Sequence, residues 1–287
     1  MITGSGPQNE VEMKPKRMWT TGLFALSLLG AALPAAATAT IWGAPSTANC
    51  SSAATLNASC TPPSLGGLTL TYTAISDAGA GGILQGAYVG VYGGGLGVTG
   101  RVGTNAAATS GNSAGAQEAP NDNNHALDNS GNNEMLLLTF KDALTNVATP
   151  VVMNALNLGF SATDSDLTVL AYGGVGSPKW VNQPYSSLLA NGWKLVGNYA
   201  DVATTGATPV NPNSRSASYW LIGAYNSTFA TAADLLNNNL NTGNDYVKLL
   251  SVTTTPAGPN GVPEPSSLVL AAIALLGLSA LRRRRTA

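Results

Sequence analysis

The segment Met135-Leu-Leu-Leu-Thr-Phe140 guides the interpretation of this sequence. Leu136, Leu138 and Phe140 stand at every second position, which is the spacing that places side chains on one face of a β-strand. The segment is short, and Gly and Asn precede it, as is typical of strands bounded by turns. We therefore predict a strand that buries one face.

Similar runs of β-branched, aromatic and leucine residues recur along the chain, separated by Gly, Asn, Ser and Pro. One of them alternates in the same way, through Trp193, Leu195, Gly197 and Tyr199. The further predicted strands are Leu68–Ile75, Ile83–Tyr92, Leu156–Phe160, Leu167–Tyr172, Trp193–Tyr199, Tyr219–Tyr225 and Tyr246–Val252. Together they predict an all-β ectodomain over residues 40–253, an antiparallel β-sandwich that is jelly-roll-like. The stretch Ala230–Leu240 has room for one short helix.

Two stretches lack the strand pattern. Gly100–Glu134 is a long loop, and loops of this length in compact domains commonly carry function. Residues 254–262 are rich in Pro, Gly and Thr, and we interpret them as a linker.

Residues 1–39 have the three parts of a secretory signal peptide. Lys14, Lys16 and Arg17 form a basic region, Gly22–Leu33 is apolar, and Pro34–Ala39 is made of small residues. We expect signal peptidase to remove this leader and the protein to be exported.

Residues 263–287 read Pro263-Glu264-Pro265, an apolar run over Leu268–Leu281, and the block Arg282, Arg283, Arg284 and Arg285. The apolar run would form a helix of roughly 21 Å, shorter than a hydrocarbon core of about 30 Å. We expect a marginal transmembrane helix with the arginines in the cytoplasm and the ectodomain outside.

This tail resembles the PEP-CTERM sorting signal in its motif, its apolar helix and its basic end. The resemblance implies an exosortase that recognises and cleaves the tail. It also implies a Gram-negative producer of exopolysaccharide, in which the protein is held briefly at the inner membrane and then released to the cell surface or the extracellular matrix.

A second resemblance covers most of the ectodomain. The segments at residues 92–99, 125–129, 164–172 and 218–226 resemble a family of exosortase-dependent surface proteins. The loop before His125 departs from that pattern by additional Asn and Asp residues. This resemblance implies location at the surface and no particular chemistry.

The charge balance limits the possible partners, and the cysteines indicate a covalent link. Residues 40–262 contain eleven acidic and six basic residues without a basic cluster, so we expect no nucleic-acid partner. Cys50 and Cys60 are the only cysteines, and in an oxidising compartment we predict a disulfide. Free thiols are the weaker alternative, and a zinc site would need two more ligands nearby.

The sequence contains few candidate catalytic residues. His125 is the only histidine, which leaves little for a nucleophilic triad. A glycosidase needs two carboxylates at a suitable separation. The candidates for such a pair are Glu118, Asp128, Glu134, Asp164 and Asp166. Because loop carboxylates are more often structural or metal-binding, we expect no enzymatic activity.

Calcium is a possible cofactor because it binds carboxylate and amide oxygens. The candidate ligands are Asp122, Asp128, Asn129 and Glu134, with Asp164 and Asp166 on a separate turn. An equally open interpretation is that these residues form turns and caps. No other cofactor is predicted.

Carbohydrate binding needs exposed aromatic platforms with polar neighbours. Trp180, in a loop rich in Gly, Pro and Asn, is the best candidate, and Tyr185 is the second. Packing over the end of the sandwich is the alternative for Trp180. The sequence thus favours a non-catalytic glycan-binding or structural matrix module, with a polysaccharide-modifying enzyme and an adhesive, self-assembling protein as alternatives.

Overall fold

Two antiparallel β-sheets face each other across a hydrophobic core in a computed structural model. The structure describes residues 38–45, 50, 58–79, 82–100, 125–236 and 239–258, which all belong to one compact unit. Except for Thr38 and Ala39, the predicted signal peptide lies outside these residues, as does the whole predicted sorting signal. The described residues contain no helix with the length and apolar character that crossing a membrane requires.

The described strands are as follows, in chain order. They are β1 Thr40–Gly43, β2 Ser59–Cys60, β3 Leu68–Gly79, β4 Ile83–Gly86, β5 Tyr88–Tyr92, β6 Gly95–Thr99, β7 Leu127–Asp128, β8 Glu134–Asp142, β9 Val151–Thr163, β10 Leu167–Tyr172, β11 Trp193–Tyr199, β12 Thr208–Pro209, β13 Ser216–Ala217, β14 Tyr219–Ala224 and β15 Asp245–Pro256. Three short 3-10 turns accompany them, at Tyr185–Ser187, Ser227–Phe229 and Asp234–Leu236.

Each sheet mixes strands that are distant in sequence. The first sheet has the order β12-β9-β15-β6-β5, with β13 beside β9 and with β1 and β7 beside β15. The second has the order β11-β10-β14-β8-β3-β2, with β4 beside β3. The chain crosses repeatedly between the sheets, and the predicted antiparallel sandwich is confirmed.

The inner core joins the two sheets. Leu138 and Trp220 of the second sheet and Leu156 and Val252 of the first belong to one buried cluster. The Trp220 indole Nε1 donates to the Ala217 carbonyl at 2.9 Å, so its polar edge is satisfied inside the core. Full burial of each large apolar side chain contributes about 1.5–3 kcal/mol.

The second sheet is buried on its outer face as well. Met135 and Leu137 belong to an outer cluster with Trp193, Leu188 and Phe229. The prediction of a single buried face for Met135–Phe140 is therefore wrong. The segment after β10 and the 3-10 turns pack apolar side chains onto the face that would otherwise meet water.

The alternation predicted along Trp193–Tyr199 is interrupted. Val169 pairs with Gly197 while the next residue, Leu170, pairs with Leu195, which leaves Val196 as a bulge. Trp193 belongs to the outer cluster, whereas Tyr199 packs against the inner core. One inserted residue thus reverses which face the later side chains occupy.

Several predicted boundaries change. Ile83–Tyr92 is two strands, since β4 pairs in the second sheet and β5 in the first. Both halves are apolar, so composition could not show the crossing. Within Ala230–Leu240, the described helical residues are the 3-10 turn Asp234–Leu236. The strands that were not predicted are β1, β2, β6, β7, β12 and β13.

The predicted linker begins within the last strand. β15 continues to Pro256 because it pairs with β9 along its whole length. The Trp42 indole Nε1 also donates to the Thr254 hydroxyl at 2.9 Å. The ordered sheet therefore extends beyond the predicted boundary at residue 253.

A disulfide joins Cys50 to Cys60, as predicted. Both residues are buried in the inner core, and Cys60 lies in β2. The bond fixes the segment that precedes β3 to the sandwich.

Candidate functional site

Three carboxylates meet at one end of the sandwich. Asp164 follows β9, Asp166 precedes β10, and Asp245 begins β15. The pairing of β15 with β9 places Asp245 opposite Thr163, next to the other two. Each side chain offers an oxygen within 4.8 Å of the other two, and we call this group the aspartate cluster. Asp166 and Asp245 are fully buried, while Asp164 is partly exposed.

Every carboxylate oxygen of the aspartate cluster already accepts a hydrogen bond. Asp245 accepts from the backbone N–H of Asp166 at 2.7 Å and from Asn129 Nδ2 at 2.5 Å. Asp166 accepts from the backbone N–H groups of Asp201 at 2.8 Å and Asn241 at 3.0 Å. Asp164 accepts from the backbone N–H of Ser165 at 2.8 Å and from Asn244 Nδ2 at 3.1 Å. Such bonds satisfy buried carboxylates without an ion. A cation here would have to use the remaining lone pairs.

Asn129 is the centre of this network. Its Nδ2 donates to the Tyr225 carbonyl at 2.9 Å as well as to Asp245. Its Oδ1 accepts from the backbone of Gly243 at 2.9 Å and of Asp245 at 3.0 Å. One buried amide therefore ties the segment after β7 to the end of β14 and the start of β15.

Burial changes the ionisation of the aspartate cluster. It raises the pKa of Asp245 to about 7, and the negative charges of Asp166 and Asp164 act in the same direction while hydrogen bonds oppose it. Burial also raises the pKa of Asp166. The cluster therefore binds a proton more readily than three exposed carboxylates would.

The predicted calcium ligands are only partly brought together. Asp164 and Asp166 meet in the cluster, with Asn129 bonded to its third member. Asp128 accepts from the Ser130 backbone at 2.9 Å and acts as a turn residue. Glu134 is buried at the start of β8. Glu118 and Asp122 lie outside the described residues.

Asp245 was missed by the sequence analysis. Asp245 joins the cluster because the last strand pairs with the strand that precedes Asp164. That pairing is a long-range property, and neither periodicity nor local spacing shows it.

A concavity lies at the opposite end of β10. It has a volume of about 420 Å³, and its lining includes Lys141, Asn146, Tyr172, Ser177 and Tyr219. We call it the tyrosine concavity. The turn between β8 and β9 and the loop after β10 form its walls.

Strand pairing places the two tyrosines side by side. Tyr172 ends β10 and Tyr219 begins β14, and the adjacent pair Ala171–Trp220 is directly opposite in the ladder. The two rings are 5.9 Å apart at an angle of 85°. Gly174 permits this arrangement, because a Cβ there would lie 2.5 Å from the Tyr172 ring.

Polar contacts hold the tyrosine hydroxyl groups. The Tyr219 hydroxyl and the Ser177 hydroxyl are 3.1 Å apart, and the Tyr172 hydroxyl donates to the Val175 carbonyl at 3.3 Å. A second concavity of about 210 Å³ adjoins the first, because Tyr172 and Ser177 line both. Lys179 also lines the second concavity.

The two predicted glycan platforms, Tyr185 and Trp180, differ in their exposure to solvent. Tyr185 is only 4% exposed, stacks edge-on against Phe229, and donates to the Asn133 carbonyl at 3.1 Å. A platform at Tyr185 is therefore wrong, because a sugar has no access to this ring. Trp180 is partly buried against the outer cluster, in the same loop as Ser177 and Lys179. The strand-end position of Tyr172 and Tyr219 was the signal that the sequence analysis did not use.

A model of the PEP-CTERM protein-sorting motif matches residues 261–285. The match contains Pro263, Glu264 and Pro265 and the arginine block Arg282–Arg285. No curated protein and no solved structure matches the chain significantly. The motif implies an exported, membrane-processed protein, and its described part is an all-β sandwich. The chain carries a PEP-CTERM sorting motif, and such signals are recognised by exosortase.

Proposed function

We propose that the sandwich is a non-catalytic module that binds glycan at the tyrosine concavity, on the cell surface or in the exopolysaccharide matrix of a Gram-negative bacterium. The observation that carries this proposal is the tyrosine concavity itself. Its volume of about 420 Å³ falls within the range of about 300–1,000 Å³ typical of small-ligand sites.

The lining suits a sugar. Tyr172 supplies a partly exposed ring, and Asn146, Ser177 and Lys141 supply amide, hydroxyl and ammonium groups. Sugars present both C–H faces and hydroxyl groups, so an aromatic ring beside mixed donors and acceptors matches them. Because the ring is packed against Gly174 and faces Tyr219, it is held in place before a ligand binds.

Binding is favoured over hydrolysis. Among the described residues, no carboxylate lines either concavity. The aspartate cluster lies at the other end of β10, away from both concavities. Two of its members are also fully buried. The enzymatic alternative therefore has little support.

Self-assembly through strand edges is also less supported. β11 is an edge strand of the second sheet, but it carries a bulge at Val196 and an exposed Lys194. Bulges and lysines are features by which native edges resist pairing with other chains.

Calcium is not required by the proposed function. Because all six carboxylate oxygens of the aspartate cluster accept hydrogen bonds, we propose that the cluster acts as a structural joint. Glycan binding should therefore be the same in calcium and in chelator.

The test uses the full-length chain purified in mild detergent. Co-sedimentation with exopolysaccharide from the producing strain should show saturable binding. Ser177→Trp should abolish it, because the exposed Ser177 lines both concavities and an indole would fill them. Ser130→Trp, at an exposed position near the aspartate cluster, is the matched control and should bind normally. Equal binding by both variants, or none by the folded wild type, would contradict the proposal.

A further inference from the structure

We propose that the glycan is anionic, and that Lys141 and Lys179 bind carboxylates of uronic-acid residues along one polysaccharide chain. This inference rests on the proposed function and names the class of glycan. Lys141 lines the tyrosine concavity and Lys179 lines the adjoining one. One lysine thus lines each concavity, and no carboxylate is found among the described residues of either lining.

This charge pattern differs from the rest of the ectodomain. Residues 40–262 carry eleven acidic residues against six basic ones. The described linings of the two adjoining concavities include two lysines and no acidic residue, which is a local reversal of charge. Such a reversal favours an anionic partner and disfavours a cationic one.

Neither lysine is used elsewhere in the described part of the chain. No carboxylate there pairs with either ammonium group. Lys248 provides a contrast, since its Nζ lies 4.3 Å from the centre of the Phe160 ring and 5.6 Å from that of Tyr92. Lys248 has a packing role, whereas the ammonium groups of Lys141 and Lys179 remain available for a ligand.

The two concavities are neighbours that share two lining residues. Tyr172 and Ser177 line both, so one polymer can contact the Tyr172 ring and reach a lysine on either side of it. A polymer with a carboxylate on successive sugars presents charges at more than one position, which suits two separate ammonium groups. A neutral glycan would leave both lysines without a counter-charge.

The expected contribution of each lysine is moderate. Lys179 is exposed and Lys141 is partly buried, so solvent and salt screen both charges. Removal of either charge should weaken binding by about threefold to tenfold. Binding should also weaken as the salt concentration rises.

The test compares two polyuronates, polygalacturonate and alginate, with the same polymers after their carboxyl groups have been reduced to alcohols. Binding to the full-length chain is measured by calorimetry at low and high salt. The variants are Lys141→Gln, Lys179→Gln and the double substitution. Arg215→Gln is the control, because Arg215 is exposed and lines neither concavity.

The expected result is saturable binding to at least one polyuronate. Binding should weaken with each lysine variant, with carboxyl reduction and with salt, and it should not change with Arg215→Gln. If the reduced polymers bind as tightly and the lysine variants match the wild type, the anionic inference fails and the proposed glycan function stands. If the folded chain binds neither these polymers nor the native exopolysaccharide, both fail.

Discussion

Replacement of Asn129 by alanine should destabilise the sandwich strongly. The side chain is 7% exposed and makes four hydrogen bonds, two as donor and two as acceptor. Alanine leaves the Tyr225 carbonyl, the backbone N–H groups of Gly243 and Asp245, and one oxygen of Asp245 without this partner. Nothing else among the described contacts is positioned to replace the amide.

The magnitude follows from these four groups. A buried polar group that loses its partner costs about 1–3 kcal/mol. Gly243 is exposed, so water can replace the bond to its N–H, and the side chain of Asp245 can take up a proton. We therefore expect a loss of about 3–5 kcal/mol, a large share of a typical total stability of about 5–15 kcal/mol.

Urea unfolding of the full-length chain, followed by tryptophan fluorescence, measures this loss. Asn213→Ala is the matched control, because Asn213 is exposed and should change the stability by less than about 0.5 kcal/mol. Asn129→Asp is a second variant that keeps the acceptor, loses the donor and adds a charge beside Asp245, so it should be more destabilising at pH 8 than at pH 5. A loss for Asn129→Ala no greater than that of Asn213→Ala would refute the reasoning.

Three further predictions concern other parts of the chain. Replacement of both Cys50 and Cys60 by alanine should lower the stability by about 3 kcal/mol, because the sequence separation is 10 residues; an unchanged melting temperature would be inconsistent with this. Glu264→Ala should block exosortase processing, so that a precursor of higher mass accumulates in the membrane on an immunoblot, and normal processing would count against it. The pKa of Asp245 is about 7 in the fold against an ordinary 3.8, so the folded state binds the additional proton between these values. The free energy of unfolding should therefore fall as the pH rises from about 4 to 7, by at most about 4 kcal/mol, and urea titrations that show a rise would contradict it.

The sequence predicted the fold class because alternation is a local property. Leu136, Leu138 and Phe140 do share a face in the inner core. The sequence could not show that the opposite face of β8 is also buried, since that depends on where the loop after β10 packs. The bulge at Val196 was equally hidden, because it is defined by which residues of β10 and β11 pair, and that pairing is not visible in the sequence of one strand.

The candidate sites were predicted in part. Asp164 and Asp166 were recognised as a turn with carboxylates, but Asp245 required knowledge of the strand pairing. The loop position of Trp180 made it the best predicted glycan platform. The structure instead brings together Tyr172 and Tyr219, since antiparallel neighbours place the end of one strand beside the start of the next.

Hydrogen exchange of the full-length chain with and without exopolysaccharide tests the proposed binding site most directly. The account predicts slower exchange of the backbone amides at residues 141–148 and 172–179, which contain most of the residues that line the two concavities, with no change at residues 241–245 of the other end. Protection confined to residues 241–245, or bound polysaccharide that leaves residues 172–179 unprotected, would contradict it.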